Sequence, residues 1–313
     1  MHAPPQELLD KACQDNMRLM LVGESGTGKS TLARALGMAL AERGHDVFCL
    51  NTDPGAPAFG PPGTLALGRM QDNGWTLLQM EPLCSLDAAR FRLPLASAAR
   101  RLLAQCPDGH LIIDTPGLVR GVAGAELIPT LAELARVDLV VVLTPEHQEV
   151  PIAGELAALD AQILQLPTSA HASAGTRSQR IRRRTGLWHE YLGRALSVTI
   201  TPGSYNLLGT PPPLTNEQAW EGRQIALLQD GRLAAMGEVR ERVSSAEWRA
   251  LLCGETGDAN QLLTRDVVHQ EDRLRTARRL PESGQSDQGD LPGPGAQEVR
   301  LDLGALTSTA NEP

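Results

Sequence analysis

Apolar runs that end in polar residues recur along the first half of the chain, closing at Val22, Asn51, Asp114 and Thr144, and segments with helical spacing lie between several of them. This alternation predicts an α/β fold: a parallel sheet with helices on both faces and ligand-binding groups gathered where the strands end. From Leu156 to Leu166 a further helix leads into a strand ending at Pro167. The pattern then breaks. Residues 169–194, SAHASAGTRSQRIRRRTGLWHEYLGR, are small and polar first and strongly basic after. Between Val198 and Val243, short apolar runs separated by Pro, Gly and Asp-Gly predict a small, mainly β domain with a hairpin at Asp230-Gly231. Residues 281–295 are rich in Gly, Pro, Ser and Asp and predict disorder, although the later EVRLDLGAL alternates like an edge strand. The expected division is therefore a core at 1–168, an Arg-rich segment at 169–194, a small β-rich domain at 195–280 and a disordered tail at 281–313.

The loop after the first apolar run turns this outline into a nucleotide site. Gly23, Glu24, Ser25, Gly26, Thr27, Gly28, Lys29, Ser30 and Thr31 match G-x-x-x-x-G-K-[ST], between a strand-like run and a segment with helical spacing. That is a P-loop in its required context. Its glycines let successive backbone N–H groups converge on phosphate oxygens at a helix N-terminus. Lys29 adds a point charge near the β- and γ-phosphates, and the Ser30 hydroxyl is placed to ligate Mg²⁺. Of the 29 basic residues only Lys11 and Lys29 are lysine, so a chain this biased toward Arg still keeps a compact ammonium at Lys29.

Two carboxylates complete the phosphate end. Asp53 follows the second strand, VFCLNTD, where it can accept the proton of an attacking hydroxyl or hold the metal shell. An Asx turn capping the Asp-Pro-Gly bend is the plainer use of the same residue. Asp114 ends LIIDTPG, where an Asp commonly orders Mg²⁺ through water. D-T-P-G also matches a GTPase switch, but selecting guanine by the usual [NT]-K-x-D needs a lysine this chain does not have.

Charge singles out the basic segment. The protein has a formal net charge of −8, which argues against a general nucleic-acid coat but not against a local patch. Residues 169–194 hold six arginines against the single acid Glu190. Arg177, Arg180 and Arg184 recur at helical spacing, so one face presents three guanidiniums, and Trp188, His189 and Tyr191 follow. Arginines so placed neutralise charge on a transferring phosphoryl group, and neighbouring aromatics can stack on bases, as in a lid closing over ATP. Cysteines 13, 49, 84, 106 and 253 show no C-x-x-C or metal-ligand spacing and read as reduced thiols. With no signal-like N-terminus and no membrane-length apolar run, a cytoplasmic location is expected.

These residues together resemble the Clp/Grc family of polynucleotide 5′-hydroxyl kinases. The likeness rests on GESGTGKST, on D-P-G-x-x-x-F-x-P-P-G-x-L from Asp53 to Leu65, on D-T-x-G-x-V-x-G from Asp114 to Gly121, on the Arg-rich segment ending near Tyr191, and on WEGRQIALLQDGRLAAMGEV. It covers most of Met17 to Val243. The resemblance implies transfer of the γ-phosphate of ATP, with Mg²⁺, to the 5′-hydroxyl end of RNA or DNA. By it, Lys29 and Ser30 serve phosphate and metal, Asp53 is the base, Thr115 and Gly117 belong to a loop that clasps the substrate end, and Arg177, Arg180 and Arg184 belong to the lid. The chain departs from the family pattern at Asn51, where an acid is frequent, at Ala56 in place of Gln, and at Leu118 in place of Trp. Alternative readings are a non-catalytic ATP-binding scaffold of an RNA-processing complex and a P-loop ATPase or small-molecule kinase.

Overall fold

The computed structural model describes residues 3–14, 16–72, 74–146, 148–168 and 175–277. The tail at 281–313, with its candidate edge strand, lies outside them. In chain order the first half forms α1 (Gln6–Ala12), β1 (Arg18–Gly23), α2 (Lys29–Ala41), β2 (Val47–Asn51), β3 (Thr64–Gln71), β4 (Gly74–Pro82), α3 (Arg92–Leu103), β5 (His110–Asp114), α4 (Gly121–Ala135), β6 (Leu139–Thr144), α5 (Ala153–Ala157) and β7 (Gln162–Pro167). There follow α6 (Arg177–Leu192), β8 (Leu196–Ile200), β9 (Asn206–Gly209), α7 (Glu217–Trp220), β10 (Arg223–Gln229), β11 (Arg232–Arg242), β12 (Trp248–Gly254), β13 (Gln261–Gln270) and β14 (Arg273–Thr276).

The first sheet has the order β4-β3-β2-β5-β1-β6-β7. From β2 to β7 it is parallel; β3 and β4 extend it as an antiparallel pair that the apolar pattern did not signal. Period-two alternation in buried strands decides which helix covers which face. Met20 and Val22 of β1, with Phe48, Leu50, Leu111, Ile113, Val140 and Val142, pack under α3, α4 and α5. Leu19 and Leu21, with Val47, Ile112, Leu139 and Val141, pack under α1 and α2. The predicted two-faced α/β core is therefore present. Register sets Asn51 of β2 opposite Asp114 of β5, and Asp114 opposite Leu21 of β1, so the strand ends form one rim.

The second sheet runs β14-β13-β10-β11-β12-β8, with β9 beside β13, and is antiparallel except for the β9–β13 pair. The predicted hairpin joins β10 to β11 at Asp230-Gly231, both with positive φ. One face is covered by Trp220 and Trp248 of the sheet's own segments. The other receives α6, through Trp188 and Leu192 packed with Cys84, Ala226, Leu228, Met236 and Leu263. The second sheet is also bonded to the connection between β2 and β3: the buried Gln224 of β10 donates from Nε2 to the Pro62 carbonyl at 2.9 Å. All five cysteines are free, and no helix among the described residues is long and apolar enough to cross a membrane.

Candidate active site

At the rim of the parallel strands a cavity of about 300 Å³ is lined by Ser25, Gly26, Gly28, Lys29, Ser30 and Thr31 of the P-loop. Asp53, Ala56 and Pro57 after β2, Thr115 and Gly117 after β5, and Arg180, Arg183, Arg184 and Leu187 of α6 complete its wall. Four segments far apart in sequence thus meet at one volume. Gly23, Glu24 and Thr27 shape the loop from behind; a Cβ on Gly23 would sit 2.6 Å from the Leu143 carbonyl oxygen.

The P-loop is held by its own backbone. Gly28 caps α2 with φ 95°, a left-handed conformation that only glycine takes without strain. Lys29 is buried and donates from Nζ to the carbonyls of Gly23, 2.8 Å, and Glu24, 2.9 Å, which leaves one ammonium proton for an anion in the cavity. Burial lowers its pKa, and Asp114, Asp53 and Glu24 oppose that shift. Across the cavity, the clasp loop touches the P-loop so closely that a Cβ on Gly117 would lie 2.4 Å from Ser25 N. Arg120 and Glu24 add an ion pair across the same seam.

Asp53 makes the Asx turn and is also placed where the catalytic use its sequence context suggested would require it. Its Oδ1 accepts from Gly55 N at 2.9 Å and Ala56 N at 3.0 Å, an Asx turn on the Asp-Pro-Gly bend, while the residue also lines the cavity. Burial raises its pKa above 3.8; the two amide bonds, Lys29 and Arg183 hold the rise in check. A carboxylate fixed at one oxygen and made more basic by desolvation suits a proton acceptor.

Asp114 sits just behind the cavity, fully buried, with no well-formed hydrogen bond to either carboxylate oxygen. Desolvation pushes its pKa up to about 6, against the opposing influence of the Ser30 hydroxyl that faces it, Lys29 and Arg183. Two unsatisfied carboxylate oxygens facing a serine hydroxyl are a donor set suited to a hard divalent cation and its water shell. The residues therefore fit Mg²⁺. Asn51 is also fully buried: its Oδ1 accepts weakly from Asp53 N at 3.4 Å and its Nδ2 has no partner. Thr115 spends its hydroxyl on the Leu21 carbonyl at 2.6 Å, which ties the clasp loop to β1.

Helix α6 starts at a full capping box, Thr176 Oγ1 accepting from Gln179 N and Gln179 Oε1 from Thr176 N. Arg180 and Arg184 line the cavity as expected; Arg177, at the first turn, does not. Arg183 does, and its charge acts on both Asp53 and Asp114. The signal was in the sequence: residues 180, 183, 184 and 187 make an i, i+3, i+4, i+7 face, rotated from the 177, 180, 184 set. Arg184 also donates from Nε to the Leu274 carbonyl at 2.8 Å. The expectation that Trp188 offers a base-stacking surface is corrected: it has no exposed surface and donates from Nε1 to Glu238 at 2.6 Å, because it anchors α6 to the second sheet. Leu118 packs on the core under α4 and does not line the cavity.

A model of the family described as mRNA cleavage and polyadenylation factor CLP1 P-loop matches residues 23–81 and 93–194. A polyribonucleotide 5′-hydroxyl-kinase of Pyrococcus furiosus is 26% identical over 200 residues, covering 62% of this chain and 55% of that protein. The mRNA cleavage and polyadenylation factor clp1 of Botryotinia fuckeliana is 29% identical over 166 residues, covering 44% and 36%. This chain spans about half the length of the archaeal relatives it matches. Among solved structures, wild-type Clp1p in complex with Pcf11p superposes with a TM-score of 0.66 at 17% identity, over 84% of this chain and 77% of that one, which shows a shared fold.

Proposed function

Because the chain belongs to the CLP1 P-loop family, we propose that it is an ATP-dependent polynucleotide 5′-hydroxyl kinase, transferring the γ-phosphate of ATP to the 5′-hydroxyl end of RNA or DNA. The observation that carries this reading is the meeting of Lys29, Ser30, Asp53, Arg180, Arg183 and Arg184 around one cavity. An ATP-binding module needs the first two; a candidate base and arginines aimed at the phosphate end are what phosphoryl transfer adds. The archaeal relatives named as polyribonucleotide 5′-hydroxyl-kinases support the same chemistry.

In this reading Ser25 to Thr31 cradle the phosphates and Lys29 holds the β/γ end. Asp53 takes the proton of the attacking 5′-hydroxyl, and Arg180, Arg183 and Arg184 neutralise charge that develops on the phosphoryl oxygens. Thr115 and Gly117 shape the wall where the substrate end enters. Ser30, Asp114 and Asp53 would hold Mg²⁺, which would supply positive charge to the phosphates. Arg177, off the cavity wall, takes no direct part in this step.

Asn51 favours a second reading, a non-catalytic ATP-binding scaffold, because a buried amide stands where the resemblance implies an acid. The test is transfer of labelled γ-phosphate from ATP to matched 5′-hydroxyl RNA and DNA oligonucleotides. Transfer that disappears in Lys29→Ala supports the kinase. Tight ATP binding with no transfer to either polymer establishes the scaffold, and transfer to mononucleosides indifferent to added oligonucleotide establishes a small-molecule kinase.

A further inference from the structure

Away from the cavity, the C-terminal half of α6 and the β13–β14 hairpin bring three metal-ligating side chains together. His189 Nε2 lies 3.1 Å from His269 Nε2 and 3.3 Å from Asp272 Oδ1, and His269 Nε2 lies 4.0 Å from the same oxygen. We propose that His189, His269 and Asp272 form a binding site for a zinc-class divalent cation, with water in the remaining position. The site is independent of the phosphoryl-transfer reading.

Geometry is the first argument. A point equidistant from the three atoms lies about 2.1 Å from each, within the roughly 2.0–2.2 Å expected for Zn–N and Zn–O bonds. A hydrogen bond between the two imidazoles accounts for one of the three distances and an ion pair between a protonated His189 and Asp272 for a second, whereas one cation accounts for all three. Two imidazoles and one carboxylate, with an open position, are a set that zinc accepts and Mg²⁺ or Ca²⁺, which prefer all-oxygen shells, do not.

The surroundings are the second argument. His269 Nδ1 faces Glu238, with its two carboxylate oxygens at 3.1 and 3.2 Å. Glu238 is fully buried and fixed in turn by Trp188 Nε1 at 2.6 Å and by Arg240 at 2.9 Å. A carboxylate on Nδ1–H selects the tautomer whose Nε2 lone pair points away, toward the three-atom cluster, and raises its basicity as a ligand. Asp272 is delivered by a two-residue hairpin in which Glu271 and Asp272 both have positive φ, 52° and 53°. Neither residue is a glycine, so the turn keeps a side chain where glycine would cost less.

The position gives the ion a purpose. On the same interface Arg184 donates to the Leu274 carbonyl and Thr185 Oγ1 accepts from Leu274 N at 2.9 Å. An ion bridging His189 to His269 and Asp272 would staple the C-terminal end of α6 to the hairpin, more than one turn beyond the arginines that line the cavity.

The experiment is calorimetric titration of Zn²⁺ into the full chain, freed of metal with chelator and carrying no histidine tag, beside His189→Ala and Asp272→Asn. His189 is about half exposed and Asp272 largely so, and neither belongs to a hydrophobic core, so the variants keep the fold. One equivalent bound by the wild type, weakened at least about tenfold in each variant, together with a Zn²⁺-induced rise in Tm that His189→Ala loses, supports the site. No Zn²⁺ binding by the wild type, or binding unchanged in His189→Ala, overturns it.

Discussion

Asp114 shows how one buried group links stability to chemistry. Its pKa is raised to about 6 from 3.8, so the folded state holds the proton more tightly than the unfolded chain. The stabilisation is fully present below pH 3.8 and is lost as pH rises through about 6. Roughly two pKa units correspond to a destabilisation on the order of 2–3 kcal/mol at pH 8. Asp114→Asn is therefore expected to raise the Tm of the metal-free protein at pH 8, and to change it little near pH 4, in thermal melts followed by circular dichroism. The same variant should lose Mg²⁺-dependent activity. Asp53 carries the complementary prediction. With its pKa raised by burial, transfer should increase as pH climbs through that pKa, and Asp53→Asn should flatten this limb and lower kcat by about 10²–10⁴-fold with little change in the KM for ATP. A pH–rate profile of both proteins decides it.

The element that most rewards attention is α6, whose two halves do different work. Its first turns present Arg180, Arg183 and Arg184 to the cavity, whereas its last turns bury Trp188 and Leu192. Arg183→Ala should cost about 10–10³-fold in kcat, as losses of charge-stabilising groups do, while Arg177→Ala should stay within a few-fold. Equal losses would mean that the cavity-facing set is wrong. The clasp loop makes a steric prediction of its own: Gly117→Ala places a Cβ 2.4 Å from Ser25 N, so P-loop or clasp must move. ATP affinity should fall about tenfold or more by equilibrium binding, with the melting transition still cooperative.

For the whole molecule, the second sheet is part of the site's scaffold. It supports α6 through the core that holds Trp188, and it meets the turn at Pro62 and Gly63 through Gln224. Trp188→Ala removes a filled volume and one of the donors that hold the Glu238 carboxylate, so a loss of about 3–5 kcal/mol is expected from urea denaturation. The parallel, helix-covered character of the first sheet, the P-loop, both carboxylates and the hairpin at Asp230-Gly231 were legible in the sequence, because each follows from local pattern: apolar runs, glycine spacing, a turn dipeptide. Asp53, Asp114 and Lys29 were legible as chemistry for the same reason. What the sequence could not settle was which way a helix faces and what it rests on. Arg183 joined the site, Arg177 and Trp188 left the cavity wall, and β3 and β4 extended the sheet. His189, His269 and Asp272 met across 80 residues. These outcomes depend on packing between distant segments, which rotates a helix about its axis by where its apolar stripe finds a partner, and no local pattern carries that information.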